Sequence, residues 1–587
     1  MRILYIFPLL LIANGLLSQG SSLPLGSNTY HILDRLEIKT GLPTPYHSTL
    51  KGYTRGDATQ YALSVDTATG IELSALDRED LRYIFLDNSE WLGQAINCTT
   101  LAGRREAAAG GLTQMQASMA DPRFALSKKP ILKYFYQTPA NFFDVNDKHF
   151  HIRVNPMLNF SIAHSVDDTQ PVFHNQRGLE VRGGVDDRIY FYMNILESQS
   201  RFPDYVNNYI GKYNAVPGAG LYKSYKSSIL DIDQGFDYLN GQGYLGFNVT
   251  QHVGFQFGYG RNFLGNGYRS LLLSDFAQNY LYLKLNWRVW RFHYQNLFAE
   301  LTPNAFSRRG GDVIKPKKYM AAHHFSFRLL PNLELGFYEV VVFSRNNQFE
   351  LQYLNPVILY RLVEHGLGSP DNVLIGLEGK WDLWKRFQLY GQLMLDEFKF
   401  NELVTDNQGW WANKYGIQAG IKYIDALGVD HLDVQLEYNT VRPYTYTHGD
   451  SSANYSHYNQ SLAHPLGANF REWVALMQYQ PAKNWIINAR LISGTFGEDG
   501  TDQNWGGNIL LPNITREQEY GNEIGQGITT QTLLAGLDVS YRLAHNLFLD
   551  FNYFYRRQDS DDDNRDNKTQ YIGGGIRINM ARQRFDF

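Results

Sequence analysis

The closing stretch of the chain, NLFLDFNYFYRRQDSDDDNRDNKTQYIGGGIRINMARQRFDF, contains two strongly alternating runs on either side of an acidic segment. Asp550, Asn552 and Arg556 fall between apolar residues that occupy every second position, at Leu547, Leu549, Phe551, Tyr553 and Tyr555. A period of two, with one apolar and one mostly polar face, is typical of a β-strand. The stretch from Asn546 to Phe587 therefore predicts two antiparallel strands joined by an acidic loop over 559–567.

The same alternation recurs upstream, for example in HLDVQLEYNT, RFQLYGQLMLDEF and YLYLKLNW. It predicts eighteen strands, at residues 148–162, 173–184, 187–199, 242–250, 252–260, 278–287, 289–300, 319–330, 333–343, 372–381, 385–398, 414–424, 430–440, 468–480, 484–493, 529–541, 545–557 and 567–579. A soluble β-sandwich would also alternate, so the strands alone do not decide the fold.

The lengths of the connections separate a membrane barrel from a sandwich. Tight connections such as 184–188, 331–332 and 542–546 alternate with long ones such as 200–241 and 494–528. Short periplasmic turns opposite long outer loops, with an even strand number, are characteristic of outer-membrane barrels. We therefore predict an all-β transmembrane fold, an antiparallel barrel of about 18 strands over 148–587, with both ends of the chain periplasmic and the long loops extracellular. The terminal Phe587 is interpreted as the closing aromatic of such a barrel.

Composition supports this class. Tyr and Phe are abundant (40 and 35 residues) although mean hydropathy is only −0.37, as expected when lipid contacts every second residue and aromatic girdles mark both interfaces. After residue 19 no apolar run is long enough for a membrane-spanning helix. Residues 1–19, with Arg2 before the apolar run Ile3 to Leu17, predict a secretory signal peptide.

Residues 20–147 differ from the rest and predict a mostly helical periplasmic cap or plug. In SNTYHILDRLEIKTG, Ser27 or Thr29 is a candidate helix start and Gly41 a stop. LSALDREDLRYIFLDNSEWLGQAI repeats the pattern with Ser74 as the candidate cap. The alternative for this region is a weakly structured leader, because GRREAAAGGLTQ lacks periodicity.

Several functional classes are disfavoured. A net charge of −4 without a basic domain argues against nucleic-acid binding. The single Cys98 cannot form an internal disulfide. We find no zinc spacing, phosphate-binding loop or nucleophile motif, so we expect a non-enzyme without cofactor or metal. Asp559 and Asp561 to Asp563 offer carboxylates to calcium, but a solvated loop tip is the favoured interpretation. The Arg-Gly-Asp at Arg55 is attributed to chance.

The long loops are the expected place for function, because loops on a rigid scaffold carry binding residues. Sugars bind to flat aromatic faces with polar groups nearby, and the candidates for glycan contact are Trp410, Trp411, Tyr444, Tyr446, Tyr455, Tyr458 and Trp505. A place in the outer aromatic girdle is the alternative for this set. Arg308 and Arg309, with Lys315, Lys317 and Lys318, are candidates for lipopolysaccharide phosphates or acidic polysaccharide.

Four stretches carry a resemblance to a known family: LPLGSNTYHILDRLEI, GYGRNFLGNGYRSLLLSDFAQNY, LELGFYEVVVFSRNNQFELQYLNPVILYRLVE and DNVLIGLEGKW. They resemble the Wzi-like capsule-assembly family as it occurs in Bacteroidota, including a gliding-motility protein of that group. The resemblance implies an eighteen-stranded outer-membrane barrel that holds capsular polysaccharide at the cell surface without turnover.

The expected partners are outer-membrane lipid or lipopolysaccharide and surface polysaccharide, with other outer-membrane or periplasmic proteins as further candidates. The resemblance does not transfer glycan-contacting residues, because the loops differ in length and composition. Two alternatives stay open: a channel or transporter lined by the polar strand faces, and a component of a surface motility or secretion assembly.

Overall fold

The computed structural model describes residues 20–92, 131–147, 149–166, 168–186, 188–228, 232–303, 315–369, 371–397, 401–402 and 408–587. The predicted signal peptide, Cys98, Arg308 and Arg309 lie outside these residues. Among the described residues, no helix has both the length and the apolar character needed to cross a membrane.

Eighteen long antiparallel strands form one closed sheet. They are β1 Phe150–Ser165, β2 Val172–Val185, β3 Ile189–Arg201, β4 Ile232–Asn248, β5 Val253–Gly260, β6 Tyr280–Val289, β7 Phe292–Leu301, β8 Lys318–Leu330, β9 Leu333–Phe343, β10 Asn372–Leu383, β11 Phe387–Glu397, β12 Lys414–Tyr423, β13 Leu432–Val441, β14 Phe470–Ala482, β15 Trp485–Glu498, β16 Ile528–Ala544, β17 Leu547–Ser560 and β18 Asn567–Ile578. Each matches one predicted strand, and β1 closes the barrel on β18 from Leu158↔Ile578 to Ser165↔Tyr571. The prediction of an eighteen-stranded barrel is confirmed.

Short additional strands extend this sheet without adding to the barrel count. Phe143–Asn146 pairs with β1, and Lys223–Ser227 pairs with β4. The loop after β13 carries a small separate hairpin, Ser456–His457 with Gln460–Ser461. These pairs were not predicted, because segments of two to five residues give too little alternation to recognise.

Side chains alternate between the two faces of the barrel wall as the period of two requires. On β17, Leu549 and Phe551 are 45% and 44% exposed on the outer face. Asp550, between them, accepts a hydrogen bond from Arg577 Nε at 2.8 Å inside the barrel. At the short-turn end the outer face carries exposed tryptophans, at Trp287, Trp290, Trp381, Trp384 and Trp485. An apolar belt bounded by an aromatic girdle is the surface that a membrane barrel presents to lipid.

Three helices precede the barrel: α1 Asn28–Thr40, α2 Arg55–Thr67 and α3 Ala75–Asp87. As predicted, α1 begins after Ser27 and ends at Gly41, whose φ of 69° is a left-handed conformation that glycine adopts without strain. Ser74 and Asp77 form a reciprocal capping box at the start of α3. Helix α2 was not predicted. It begins at the Arg-Gly-Asp motif, where Arg55 is buried and pairs with Asp87 at 2.7 Å.

Helix α1 is held to the turn end of the barrel by buried charges. Arg35 donates to Asp433 at 2.6 Å and to Asp425 at 2.5 Å, and a third carboxylate, Asp77 of α3, lies 3.4 Å away. Lys380 of β10 pairs with Glu37 at 2.7 Å. These pairs join the helices to β10, to β13 and to the turn before β13.

The chain between α1 and α2 enters the barrel lumen. His47 Nδ1 lies 2.5 Å from Ser326 Oγ of β8, and Thr49 hydrogen-bonds to Glu378 of β10. Leu50 forms a β-bridge with Leu264, which belongs to the loop after β5 at the opposite end of the barrel. The lumen is therefore entered from both ends.

From the loop end, residues 261–279 and 442–469 descend into the barrel. Leu271, Leu272 and Leu273 pack in a buried cluster with residues of the second loop, including Tyr446, Tyr455, Leu462 and Ala463. Arg269 makes two hydrogen bonds to Glu472 of β14, at 3.1 and 2.9 Å. An apolar layer and a buried ion pair thus fix the descending loops to the wall.

The tail 579–587 turns back into the lumen, so the interpretation of Phe587 as the aromatic that closes the last strand is wrong. Asp586 accepts hydrogen bonds from Arg490 Nε at 2.9 Å and from Tyr268 OH at 2.5 Å. The ring of Phe587 packs against Tyr209 at 5.0 Å between centroids. Strand β18 ends at Ile578 because the remaining residues find polar and aromatic partners inside the barrel.

A chamber of about 710 Å³ remains between the helices, the descending loops and the tail. Its lining mixes apolar residues with buried charged and amide side chains, among them Asp34, Arg182, Asn266, Arg490 and Asp433. A second cavity of about 90 Å³ lies between the tail and the inner side of the wall, and the segments that enter from both ends surround the two cavities. This filling favours a binding role over the alternative of a channel.

Replacing Arg35 by Met is expected to release α1 from the barrel. Four carboxylates, those of Asp77, Asp425, Asp430 and Asp433, would lose a cation whose side chain is only 1% exposed, and removing one partner of a buried ion pair costs about 3–5 kcal/mol. Hydrogen exchange of the α1 amides should accelerate by at least about 100-fold, since 1.4 kcal/mol is a factor of ten. Arg82→Met is the control, because Arg82 and Glu79 are both 30% exposed and such pairs contribute at most about 1 kcal/mol. Equal exchange in the two variants would contradict this assignment.

Docking of the segment around His47 is expected to weaken as the pH falls. Burial lowers the pKa of His47 to about 4 from its ordinary 6.5, despite the nearby Glu334 carboxylate. The undocked imidazole takes up a proton below about pH 6.5 while the docked one stays neutral until about pH 4. The free energy of docking is therefore at its full value above the undocked pKa of about 6.5. It weakens by about 2 kcal/mol as the pH falls from about 7 to about 5.

The measurement for His47 is protease cleavage of the N-terminal segment across this pH range, normalised to an unfolded substrate. His47→Asn should remove about 2 kcal/mol of the pH dependence, while the part that arises from carboxylates remains. An unchanged profile in the variant would show that His47 is not the group responsible.

Candidate functional site

Three loop segments join into one surface over the loop end of the barrel. We call residues 408–413, 442–469 and 499–527 the outer cap. Backbone hydrogen bonds run between its segments, from Trp411 N to Glu519 O at 2.9 Å and from Tyr444 N to Gly506 O at 3.1 Å. Gly521 N also donates to Gln408 O at 2.7 Å. The cap is thus tied together by its main chain.

Asn469 lies at the centre of the outer cap and is fully buried. Its side-chain amide nitrogen lies within hydrogen-bonding distance of three carbonyl oxygens, those of Gly497, Trp505 and Gln526, at 3.2, 3.4 and 2.9 Å. Its side-chain oxygen accepts from Gly525 N at 2.7 Å. One asparagine therefore satisfies main-chain groups from both ends of the 499–527 segment.

Trp410 and Trp411 lie side by side and partly exposed, with ring centroids 6.3 Å apart and planes at 63°. The guanidinium of Arg516 lies 4.2 Å from the Trp411 ring centroid. Tyr444 meets the same ring edge-on at 6.3 Å. A cation over a tryptophan face and an aromatic edge beside it fix the orientation of the indole.

The third predicted tryptophan, Trp505, is also partly exposed. Its backbone N–H donates to Asp499 at 2.5 Å and its carbonyl accepts from Gln526 Nε2 at 2.9 Å. Its indole N–H donates to the exposed Gln503 at 3.3 Å. Burial raises the pKa of Asp499, although the backbone N–H groups of Asn508 and Trp505 donate to it.

The four predicted tyrosines point into the protein instead of outward. Tyr444, Tyr446 and Tyr455 are fully buried and Tyr458 is 4% exposed. Tyr446 OH donates to Leu271 O at 2.8 Å, and Tyr455 OH donates to Leu272 O at 2.7 Å. Tyr446 and Tyr455 therefore hold the 442–469 segment of the outer cap to the other descending segment, 261–279, and do not face solvent.

Backbone conformation explains the direction of Tyr444 and Tyr446. Both have left-handed φ values, 63° and 70°, which are rare for residues other than glycine. The hydroxyl of Tyr444 donates to Asn504 O at 2.9 Å, and burial raises its pKa to about 12. Such strained positions persist only where the surrounding structure holds them.

The predicted basic loop is described only in part, because Arg308 and Arg309 fall outside the described residues. Lys318 is buried, and its ammonium donates to Asn454 O at 2.7 Å. Lys315 lies 3.9 Å from the Tyr458 ring centroid. Lys317 pairs with Glu300 at 2.9 Å. The three described lysines thus have partners within the protein.

Sequence reasoning missed the polar and aromatic neighbours of the tryptophan pair. Arg516 lies over Trp411 and pairs with the exposed Glu519, and Tyr520 is 46% exposed beside them in the chain. The stretch TREQEYGN offered only ordinary charged loop residues. Its place beside Trp411 depends on long-range pairing of two loops, for which the sequence has no local signal.

Two carboxylates of the acidic tip of the last loop pair with nearby arginines. Arg565 pairs with Asp562 at 3.2 Å, and Arg557 pairs with Asp559 at 2.9 Å. Within the described ranges, three potential metal ligands meet only at the opposite end of the barrel, at Asp425, Asp430 and His431. Arg35 already pairs with Asp425 there, at 2.5 Å.

The family model for capsule assembly protein Wzi matches residues 172–571 of this 587-residue chain. The chain belongs to the Wzi capsule-assembly family. The match covers β2 to β17 completely and the first residues of β18, together with the outer cap and the 261–279 segment.

Solved structures agree with this assignment to the Wzi family. An Escherichia coli outer-membrane protein, Wzi, is involved in group 1 capsule assembly and is a carbohydrate-binding β-barrel. It superposes with a TM-score of 0.55 at 12% identity, covering 96% of this chain and 99% of that one. At this identity the likeness concerns the fold. No curated protein matches the chain.

Two Pseudomonas aeruginosa structures are more distant from this Wzi-family chain. The outer-membrane protein OprD matches at a TM-score of 0.39 and 12% identity, over 73% of this chain and 93% of that one. OccK8 (OprE) matches at 0.39 and 9%, over 73% and 97%.

The Wzi-family assignment confirms the predicted family, and the chain is an integral outer-membrane barrel. Membership of Bacteroidota and a role in gliding motility stay predictions. The assignments of glycan-contacting residues and of the segment boundaries at residues 19 and 147 also stay predictions.

Asn469→Ala is expected to loosen the outer cap of this Wzi-family barrel. The change removes the side-chain hydrogen bonds and leaves the buried Gly525 N–H without its acceptor, at a cost of about 1–3 kcal/mol per unsatisfied group. Hydrogen exchange over 499–527 should accelerate by about tenfold or more. Gln503→Ala is the matched control, since Gln503 is exposed and contacts the same loop through one bond of 3.3 Å. A cap that exchanges equally slowly in both variants would disprove the role of Asn469.

Proposed function

We propose that this Wzi-family barrel binds surface polysaccharide through the tryptophan-bearing face of the outer cap and thereby holds capsule at the cell. The observation that carries the proposal is the pair Trp410 and Trp411, partly exposed, with Arg516 fixed 4.2 Å from the second ring. Indole faces pack against the apolar faces of sugar rings. A guanidinium donates hydrogen bonds to hydroxyl or acidic substituents, and a carboxylate accepts hydrogen bonds from hydroxyl groups.

The support beneath this face suits a binding role. The loop segments are joined by backbone hydrogen bonds and by Asn469, and buried tyrosines fasten them to the descending loop. A preorganised surface loses less conformational entropy when a ligand binds, so weak contacts with successive sugars add up to useful retention. A similar barrel, E. coli Wzi, is a carbohydrate-binding protein in capsule assembly.

In this proposal the outer cap faces the outside of the cell and the helices α1 to α3 face the periplasm. The ligand is retained without a chemical step, so no cofactor is required. Trp505 is a second candidate contact, because it is partly exposed on the same loop as Arg516.

Replacing Trp410 and Trp411 together by Ala is expected to weaken polysaccharide binding at least about tenfold, since covering one aromatic side chain contributes about 1.5–3 kcal/mol. The measurements are binding of purified capsular polysaccharide to the purified barrel, and the ratio of cell-attached to released polysaccharide in cells that carry the variant. Total polysaccharide synthesis should stay the same.

Trp384→Ala is the matched control, because Trp384 is 80% exposed but lies at the short-turn end of the barrel. It should leave both binding and retention unchanged. If the double variant binds and retains polysaccharide like the control, this face is not the glycan site. Unchanged attachment in cells that lack the whole protein would overturn the anchoring function itself.

A further inference from the structure

Three polar side chains form a row on the outer face of the barrel wall, where a membrane barrel normally carries apolar residues. Asn296 of β7, His323 of β8 and Glu339 of β9 are direct cross-strand neighbours. By strand alternation they share the outer face with Phe325 and Leu335, which are 38% and 46% exposed. A carboxylate and an imidazole turned toward lipid would be unfavourable without partners.

The row is covered from outside by residues 349–367, which we call the outer strap. It contains Leu351–Leu354, a single 3-10 turn, and the helix α5 Tyr360–Leu367, which follows α4 Asp204–Tyr213 in chain order. Asn296, His323 and Glu339 are 0%, 4% and 1% exposed beneath it.

The backbone of the outer strap satisfies the polar row. Glu339 accepts from Tyr360 N at 2.9 Å and from Arg361 N at 3.1 Å, so a carboxylate of the barrel wall caps the first turn of α5. Asn296 Nδ2 donates to Pro356 O at 3.1 Å. His323 lies 2.6 Å from Glu339 and stacks on the ring of Tyr360 at 4.2 Å.

These contacts place the start of α5 at membrane depth. Glu339 lies six residues along β9 from Leu333, which pairs with Trp381 of the exposed girdle at the turn end. At about 3.4 Å per residue and a tilt of about 40°, Glu339 lies about 15 Å above that girdle, within an apolar belt about 25 Å tall. A short helix is tolerated at this depth because its first N–H groups are accepted by Glu339.

The outer strap is apolar on its inner side and mixed on its outer side, where Gln352, Asn355, Arg361 and His365 are exposed among apolar residues. Its inner side packs Tyr353, Tyr360 and Val363 against Val341 and Phe343 of the wall. Its outer side exposes five further apolar residues, with exposures of 71, 39, 82, 48 and 62% at Leu351, Leu354, Val357, Leu359 and Leu362. The exposed cation Arg361 pairs with Glu364, three residues later in α5, at 2.6 Å.

We propose that the outer strap is a membrane-embedded element whose outer face binds the acyl chains of outer-leaflet lipid. Lipid is the occupant because the exposed face continues the apolar belt of the barrel wall, where the neighbouring Leu377 of β10 is 50% exposed. The loop after β9 thus lies against the outside of the barrel wall at membrane depth and forms part of the surface that contacts lipid. This inference is independent of the glycan-binding function proposed for the outer cap.

The test uses nitroxide labels on the full-length barrel in liposomes of phosphatidylcholine at low protein density. Labels are attached at Val357→Cys and Leu362→Cys in a Cys98→Ser background, since Cys98 is the single native cysteine. Leu377→Cys is the control for lipid contact and Gln503→Cys the control for solvent. Power saturation then compares collisions with oxygen, which enters hydrocarbon, and with a nickel chelate, which does not.

The ratio of oxygen to nickel accessibility at 357 and 362 should match that at 377 and exceed that at 503 by about tenfold or more, because hydrocarbon excludes the polar chelate. Two results would overturn the proposal. Nickel access like that at 503 would place the strap in water. Protection from both reagents, with spin–spin broadening that grows with protein density, would show that a second copy of the chain covers it.

Discussion

The structure depends on one constraint, which is that no backbone N–H or C=O group can remain unpaired in hydrocarbon, where each would cost several kcal/mol. The pairing of β1 with β18 meets it by leaving the eighteen-stranded sheet without an edge. Closure then fixes the two environments of the wall. Alternate residues face lipid or lumen, and a sheet this wide encloses more space than its own side chains can fill.

The lumen is filled by chain segments that are distant in sequence and enter from opposite ends. Leu50, from between two helices, meets Leu264 of a descending loop, and Asp586 near the C-terminus binds Arg490 on the wall. The buried charges of these segments are paired, as at Arg35 and at Arg269. Because an unpaired buried charge is costly, these pairs favour one arrangement of helices, loops and tail over others.

The same wall supports two different surfaces at its loop end. The outer cap is tied over the lumen and presents Trp410 and Trp411, whereas the outer strap folds down against the outside and covers Glu339. Both are anchored by side chains that satisfy backbone groups, Asn469 in the first and Glu339 in the second. A loop of this barrel thus takes its position from polar anchors, and its exposed apolar residues then determine what it contacts.

What the sequence by itself determined is the wall. Side-chain direction in a strand depends on position alone, so alternation and short turns located all eighteen strands, and local capping residues located α1 and α3. Helix α2 was not predicted because polar residues, Arg55 and Thr59, also lie on its buried side, so polar and apolar positions do not separate into two faces. Only the tertiary structure decided where the connecting segments go. The inward tyrosines, the return of Phe587 into the lumen and the placement of Arg516 over Trp411 each depend on contacts between residues far apart in the chain, and such contacts leave no local pattern.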